Sequence, residues 1–290
     1  MQTFLPYPDF AASAGALDDS RLGKQRVEAL QILRALVIPD YGWQQHPAVR
    51  MWMGHVPGLT LYGLAVVDEW LARGRSDSTR GQIQEFASSA SGGVVPMPPW
   101  LGDPSFHAAH RSNLIRKSPE FYRERFSDVP DDLPYVWPEP AEVMLPAEPS
   151  EPRMWIWRGG VESVPAPAPA PTPEEETGWL FMPRQRSSKR VSPKWRRQVA
   201  CFTDVVKEGD SLAVADATGT RFRTGVAGPL QVHGTDSRNV DGPLWRRVRF
   251  SGWLERSDFD WPARLQDPRT LFPVPEPHAS TTYPRTGSPT

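Results

Sequence analysis

A single cysteine, Cys201, stands in a chain of 290 residues. One thiol excludes an intrachain disulfide framework and any metal site built on several cysteines. A reducing, cytoplasmic setting, close to the nucleoid if DNA is the partner, is the expectation. No apolar run approaches the roughly 18 residues that a membrane helix needs, and the opening MQTFLPYPDF has no signal-peptide layout. An excess of one charge is also missing. The formal net charge is −1, so any nucleic-acid partner must be met by a local patch and not by the whole chain. What the chain has in quantity is proline, 33 residues, and tryptophan, 12. The prolines assign much of it to linker and loop. The 39% hydrophobic content suffices for two modest domains, in line with about 150 residues per domain.

Composition changes along the chain predict where those domains lie. Residues 1–138 read as an all-α domain. Asp18, Asp19 and Ser20 can cap a helix running to Val37, which Pro39, Asp40, Tyr41 and Gly42 then break. A second, mostly apolar helix is predicted from Pro57 to Gly74, with further helix over 79–89 and 104–117, and an extended aromatic segment at 131–140. Residues 139–176 read as a linker, with the polyproline-like VPAPAPAPTPEEE at 164–176. MWIWRGG, 154–160, is oddly aromatic within it and suits docking onto a domain. Residues 177–275 carry short alternating strands, SLAVAD, ATGTRF, TGVAGPLQVHG and WRRVRFSGWL, which predict a small β-barrel or sandwich. The tail, 276–290, is rich in Pro, Ser and Thr and reads as disordered.

Four clusters can carry chemistry. In RLGKQRVEAL (21–30), Arg26 falls within the apolar stripe of its helix, with Lys24 and Glu28 one turn apart. A surface Lys–Glu pair, with the arginine bound to Asp18 or Asp19, competes with a cationic cleft that holds one carboxylate for proton transfer. HPAVRMWMGH (46–55) supplies His46, Arg50 and His55. Its histidine spacing matches no pair on one helical face, so phosphate contact is favoured over a metal. FHAAHRSNLIRKSPEFYRERF (106–126) sets His107, His110, Arg111, Asn113, Arg116 and Lys117 beside Phe121, Tyr122 and Phe126. It fits a surface that grips a backbone and stacks bases, or a solvated basic helix with its aromatics in the core. PRQRSSKRVSPKWRRQ (183–198) has seven cations and no acid.

Three of these segments, in this order, resemble the pyrimidine-dimer DNA glycosylases of the phage endonuclease V type, as a bacterial branch of that family. RLGKQRVEALQIL resembles the family's catalytic helix, where an Arg sits beside an essential Glu. HPAVRMWMGH followed by an apolar helix and Arg73-Gly74 resembles its Pro…Gly-His turn and long central helix. HRSNLIRKSPEFY resembles the segment that ends the family fold. The resemblance implies that an N-terminal α-amine attacks the sugar C1′ of a damaged nucleotide, and that β-elimination follows through a Schiff base. An amine with a pKa of about 7.7–8 is a useful nucleophile near neutral pH. It also implies a carboxylate that shuttles protons, cations that hold a kinked duplex, and an extruded base.

Two departures accompany it. Gln2 is bulky, so Met1 is expected to be retained and to supply its own amine. If Arg26 aligns with the family arginine, Val27 takes the glutamate position and Glu28 stands one residue late, about 100° round the helix. The C-terminal half resembles, loosely, PUA-like or EVE-like barrels that read modified bases, with Trp195, Trp245 and Trp253 as stacking residues or as core.

The expectation is therefore a DNA glycosylase, with or without AP-lyase activity, acting on a damaged or modified pyrimidine in repair or anti-phage defence. Met1, Glu28 and Lys24 are the catalytic candidates. Arg21, Arg26, His46, Arg50, His55, His107, His110, Arg111, Asn113, Arg116, Lys117 and Tyr122 are the DNA-binding candidates. The partner is double-stranded DNA, and no metal, cofactor or membrane is expected. The alternative is a non-catalytic DNA-binding or modified-base recognition protein, which Val27 at the carboxylate position would favour.

Overall fold

The computed structural model describes residues 1–87, 95–159, 177–182, 192–232 and 244–277. Two compact units emerge. The first holds residues 1–147 and 261–266, and the second holds 148–260 and 267 onward. The expected polyproline spacer at 164–176, residues 183–191 of the basic run and the tail from 278 lie outside the described residues. Among the described residues, no helix is long and apolar enough to cross a membrane, and no cluster of three metal-ligating side chains forms.

The first unit is built on α1 (Phe10–Ala16), α2 (Asp19–Val37), α3 (Pro47–Arg50), α4 (Val56–Ala72), α5 (Arg80–Gln84), α6 (Pro104–Lys117) and α7 (Pro119–Tyr122). Helix α2 starts where Asp18 accepts a hydrogen bond from Arg21 N at 3.0 Å, an N-cap that satisfies one of the orphan donors of the first turn. It ends before Pro39, and Asp40 follows with φ +54°. Helix α4 carries Pro57 in its first turn, and Gly74 takes the left-handed conformation just past its end. Leu22, Leu30 and Leu33 of α2 share one buried cluster with Leu59, Tyr62 and Val66 of α4. A Cβ on Gly63 would stand 3.6 Å from the methyl of Ala29, so small residues let these helices approach closely.

The N-terminal segment shapes the centre of this unit. Residues 2–6 are buried, yet they form neither helix nor strand. Their backbone groups must be paired by side chains, because a buried orphan is costly. Phe4 N donates to Gln25 Oε1 at 2.9 Å, and Leu5 N donates to His110 Nδ1 at 3.2 Å. His107 Nδ1 lies 2.7 Å from Leu5 O, while its Nε2 accepts from Gly102 N at 3.0 Å. Arg111 donates to Pro6 O at 3.0 Å, and Trp52 Nε1 to Thr3 Oγ1 at 3.1 Å. His107, His110 and Arg111 of α6 thus turn toward the N-terminal segment, on a helix whose sequence reads as an outer basic one.

The second unit is a mixed six-stranded sheet, not the closed barrel that the short alternating strands suggest. Its strands are β1 (Arg153–Trp157), β2 (Thr177–Met182), β3 (Ser211–Ala215), β4 (Arg221–Val232), β5 (Leu244–Glu255) and β6 (Leu271–Pro275), in the spatial order β2-β5-β4-β3-β1-β6. Strands β1 and β3 run parallel and every other pair is antiparallel. Closure is disfavoured at β6, an edge strand whose Pro273 and Pro275 have no N–H to offer a further neighbour. The aromatic MWIW segment, placed by composition in the linker region, is β1 and contributes Trp155 and Trp157 to the core. The runs 217–222 and 224–234 read as two strands, but the described part is one long β4. A bulge bends it at Thr224/Gly225, where a Cβ on Gly225 would meet Arg249 O at 2.4 Å. Helix α8 (Pro193–Ala200), capped by Ser192, passes into a π-helical turn over Cys201–Val205. Arg246 is buried in β5 and donates to the carbonyls of Gly228, Phe202 and Val206. The second unit therefore has a cation inside its core with all three of these donor bonds made to backbone oxygen.

Candidate functional site

Helix α2 turns a strip of polar side chains at i, i+3, i+4 and i+7, namely Arg21, Lys24, Gln25 and Glu28, toward the N-terminus. These residues line a cavity of about 370 Å³ together with Met1, Gln2, Phe4, His46, Lys117, Tyr135 and Trp137. Among the described residues, three cations and the chain's first amine thus share one space with a single lining carboxylate.

Glu28 is held from two sides. Gln2 N donates to its Oε2 at 2.9 Å and Gln25 Nε2 donates to the same oxygen at 3.2 Å. Gln25 also accepts from Phe4 N and from the Tyr62 hydroxyl, at 2.9 and 2.6 Å. One buried amide therefore fixes the N-terminal segment, the central helix α4 and the carboxylate together. Burial, reinforced by the adjacent Met1 amine, holds the His46 imidazole below its ordinary pKa, with Glu28 pulling the other way. His46 is then neutral near pH 7, with its Nδ1 accepting from Ala48 N at 3.1 Å and its hydrogen on Nε2. Arg21 is tied to Asp18 at 2.6 Å and donates to Lys117 O at 2.7 Å. The ammonium of Lys117 lies 5.9 Å from the Phe4 ring centroid. Burial works to raise the Asp18 carboxyl, but hydrogen bonds from Tyr122 and Arg21 outweigh it and keep the group ionised.

The expected residues divide by position. Met1, Lys24 and Glu28 meet in the cavity, joined by Arg21, His46 and Lys117. Arg26 points elsewhere. It forms an ion pair with Asp77 and its guanidinium lies 4.5 Å from the Trp70 ring centroid. Arg26 and Glu28, two positions apart on α2, therefore face different neighbours. Val27, at 43% exposure, is turned to solvent and does not line the cavity. Arg50 pairs with Glu139 at 2.6 Å, and His55 precedes α4. His107, His110 and Arg111 support the N-terminal segment, as described above. Asn113 donates to Ala109 O at 2.7 Å, Arg116 to Leu133 O at 3.1 Å, and the Tyr122 hydroxyl to Asp18 at 2.6 Å. Gln2, Gln25, Tyr135 and Trp137 line the cavity without having been singled out. For the last two, the aromatic run at 131–140 was the available signal. For Gln25, only its place one turn before Glu28 could have pointed to it.

Because Asp77 is nearly sealed from solvent, Arg26→Ala should cost about 3 kcal/mol, the range for breaking a buried ion pair. Chemical denaturation would report it. Chemistry at the cavity should persist in the protein that remains folded, since Arg26 does not line it.

Residues 1–81 match the family model described as pyrimidine dimer DNA glycosylase. That span covers the N-terminal segment and helices α1 to α4, and it includes Met1, Lys24, Glu28 and His46. No curated protein and no solved structure matches the chain.

Proposed function

We propose that the first unit is a DNA glycosylase with AP-lyase activity, which excises a damaged or modified pyrimidine through an imine to its N-terminal amine. The observation that carries this reading is the meeting of Met1, Glu28 and three cations in one cavity within the stretch that matches the family.

In this mechanism the deprotonated Met1 amine attacks C1′ of the target nucleotide, a C1′–N bond forms, and the glycosidic bond breaks with the base leaving protonated. Opening of the sugar ring transfers a proton to O4′ and gives the imine. Glu28 takes a proton from C2′, and the 3′ phosphate leaves in a β-elimination that cuts the strand. Neutral His46, whose Nδ1 accepts from Ala48 N, presents Nε2–H as a hydrogen-bond donor beside the amine, and Lys24, Arg21 and Lys117 balance the charge of flanking phosphates. The target enters the cavity extruded from the duplex. A role in repair or in defence against modified phage DNA follows from which base is accepted.

The test is a comparison of unmodified, ultraviolet-irradiated, abasic and phage-modified duplexes. Free base release and nicking confined to irradiated or modified DNA would support the reading. Nicking of abasic DNA alone would reduce it to a lyase. Binding without base release or cleavage on any duplex would replace it by a recognition protein.

A further inference from the structure

Trp43 is the most exposed of the large apolar side chains among the described residues, at 65%. Its backbone has φ +73°, a region that a bulky aromatic residue rarely adopts. The chain nevertheless holds it there. Gln44 Nε2 donates to Ile38 O at 3.0 Å, His46 N donates to Trp43 O at 2.9 Å, and Ala48 N donates to the His46 ring at 3.1 Å. Strain that surrounding bonds over-determine is characteristic of functional positions, and here it displays an indole where burial would ordinarily have removed it.

The Trp43 ring meets the edge of His46 at 5.9 Å, His46 meets Trp137 at 6.2 Å, and Trp137 meets Tyr135 at 5.2 Å. The last three line the cavity that holds Met1 and Glu28. A row of rings therefore runs from solvent to the cavity wall, with Lys24, Arg21 and Lys117 supplying positive charge in the cavity at its inner end.

We propose that Trp43 is a stacking wedge: its indole packs against the bases flanking the nucleotide that enters the cavity, and holds the gap open. The occupant is duplex DNA, recognised by the π-faces of its bases and not by their edges, with its phosphates drawn to the cavity cations. Apolar side chains inserted at a base step unstack and kink a duplex, and base–aromatic stacking is tolerant of sequence. The inference rests on the glycosylase reading of the cavity.

The experiment uses the full chain, its Trp43→Ala, Trp43→Phe and Trp43→Gly variants, and a duplex carrying a non-cleavable tetrahydrofuran abasic site beside 2-aminopurine. Trp43→Ala should weaken binding by about tenfold or more and should reduce the 2-aminopurine fluorescence rise that reports unstacking. Trp43→Phe should restore most of both. On a single strand with the same lesion the loss should be smaller, because there is no stack to open. Trp43→Gly suits a positive φ, so it should melt no lower than wild type while sharing the defect of Trp43→Ala. Equal affinity and fluorescence for wild type and Trp43→Ala would overturn the wedge while leaving the glycosylase reading intact. Equal losses on single strand and duplex would also overturn it. A wild-type protein that neither binds the duplex nor forms an adduct with abasic DNA would overturn both.

Discussion

Glu28→Gln should lower the single-turnover rate of strand cleavage by about 10²–10⁴-fold, the usual contribution of a positioned general acid or base, with binding to an abasic duplex retained. The substitution keeps the shape of the side chain. It also keeps an oxygen to accept from Gln2 N and Gln25 Nε2, which both meet Oε2 at present. What it removes is the ability to take a proton, and no other carboxylate among the described residues lines the cavity. Rapid-quench measurement on abasic DNA would give the rate directly. A variant within a few-fold of wild type would move the proton transfers to another group, and His46 would be the first to examine. Glu28→Asp should recover part of the rate, because the carboxylate returns but stands one methylene short of its partners.

Acid should destabilise the first unit well above the pH at which carboxylates titrate, and His110 is the main cause. Burial, with a smaller contribution from His107, lowers its pKa from 6.5 to about 3. Its Nδ1 accepts from Leu5 N, so the native ring is neutral and is held by that bond. As pH falls below about 6.5, the unfolded chain binds a proton at this position and the folded one does not. The stability is complete above the unfolded pKa and is lost on the way down toward the folded value, at about 1.4 kcal/mol per pH unit. Between pH 6.5 and 4.5 that amounts to about 2.3 kcal/mol from His110 alone. His107, His46 and His55 are shifted in the same direction, chiefly by burial, and they add to the trend. His110→Asn keeps an acceptor for Leu5 N and removes the titration. The protection of the α2 amides against hydrogen exchange in the full chain, followed from pH 7 to 4.5 and corrected for the intrinsic pH dependence of exchange, should therefore fall less steeply in the variant. Identical pH slopes in the two proteins would contradict the assignment.

How much of this was legible in the sequence depends on what carried each signal. Helix α2 and its cap were readable because Asp18 and the breaks at Pro39 to Gly42 are local, and so was α6 over 104–117. The inward turn of the polar face of α6 was not readable. His107 and His110 are buried because residues 2–6 lie against them without secondary structure of their own, a contact more than 100 residues apart in sequence. Arg26 looked like a site residue because it sits in an apolar stripe, but its partners Asp77 and Trp70 lie on other parts of the chain. Strand β6 escaped notice because two of its five residues are proline, which argues against a central strand and permits an edge one. The open sheet could not be told from a barrel, since alternation sets which face is buried and says nothing about closure. Trp43 gave no signal at all, because neither its exposure nor its backbone angle is written in residue type.

The most direct test of the account is borohydride trapping of the full chain on an abasic duplex, followed by mass mapping of the adduct. Hydride reduces the imine to a stable secondary amine and fixes the DNA on whichever nitrogen attacked. The account predicts an adduct at the α-amine of Met1, lost when that amine is blocked. An adduct at Lys24, which lines the same cavity, would keep the enzyme and contradict the assigned nucleophile. No adduct from a protein that binds the duplex would contradict imine chemistry altogether.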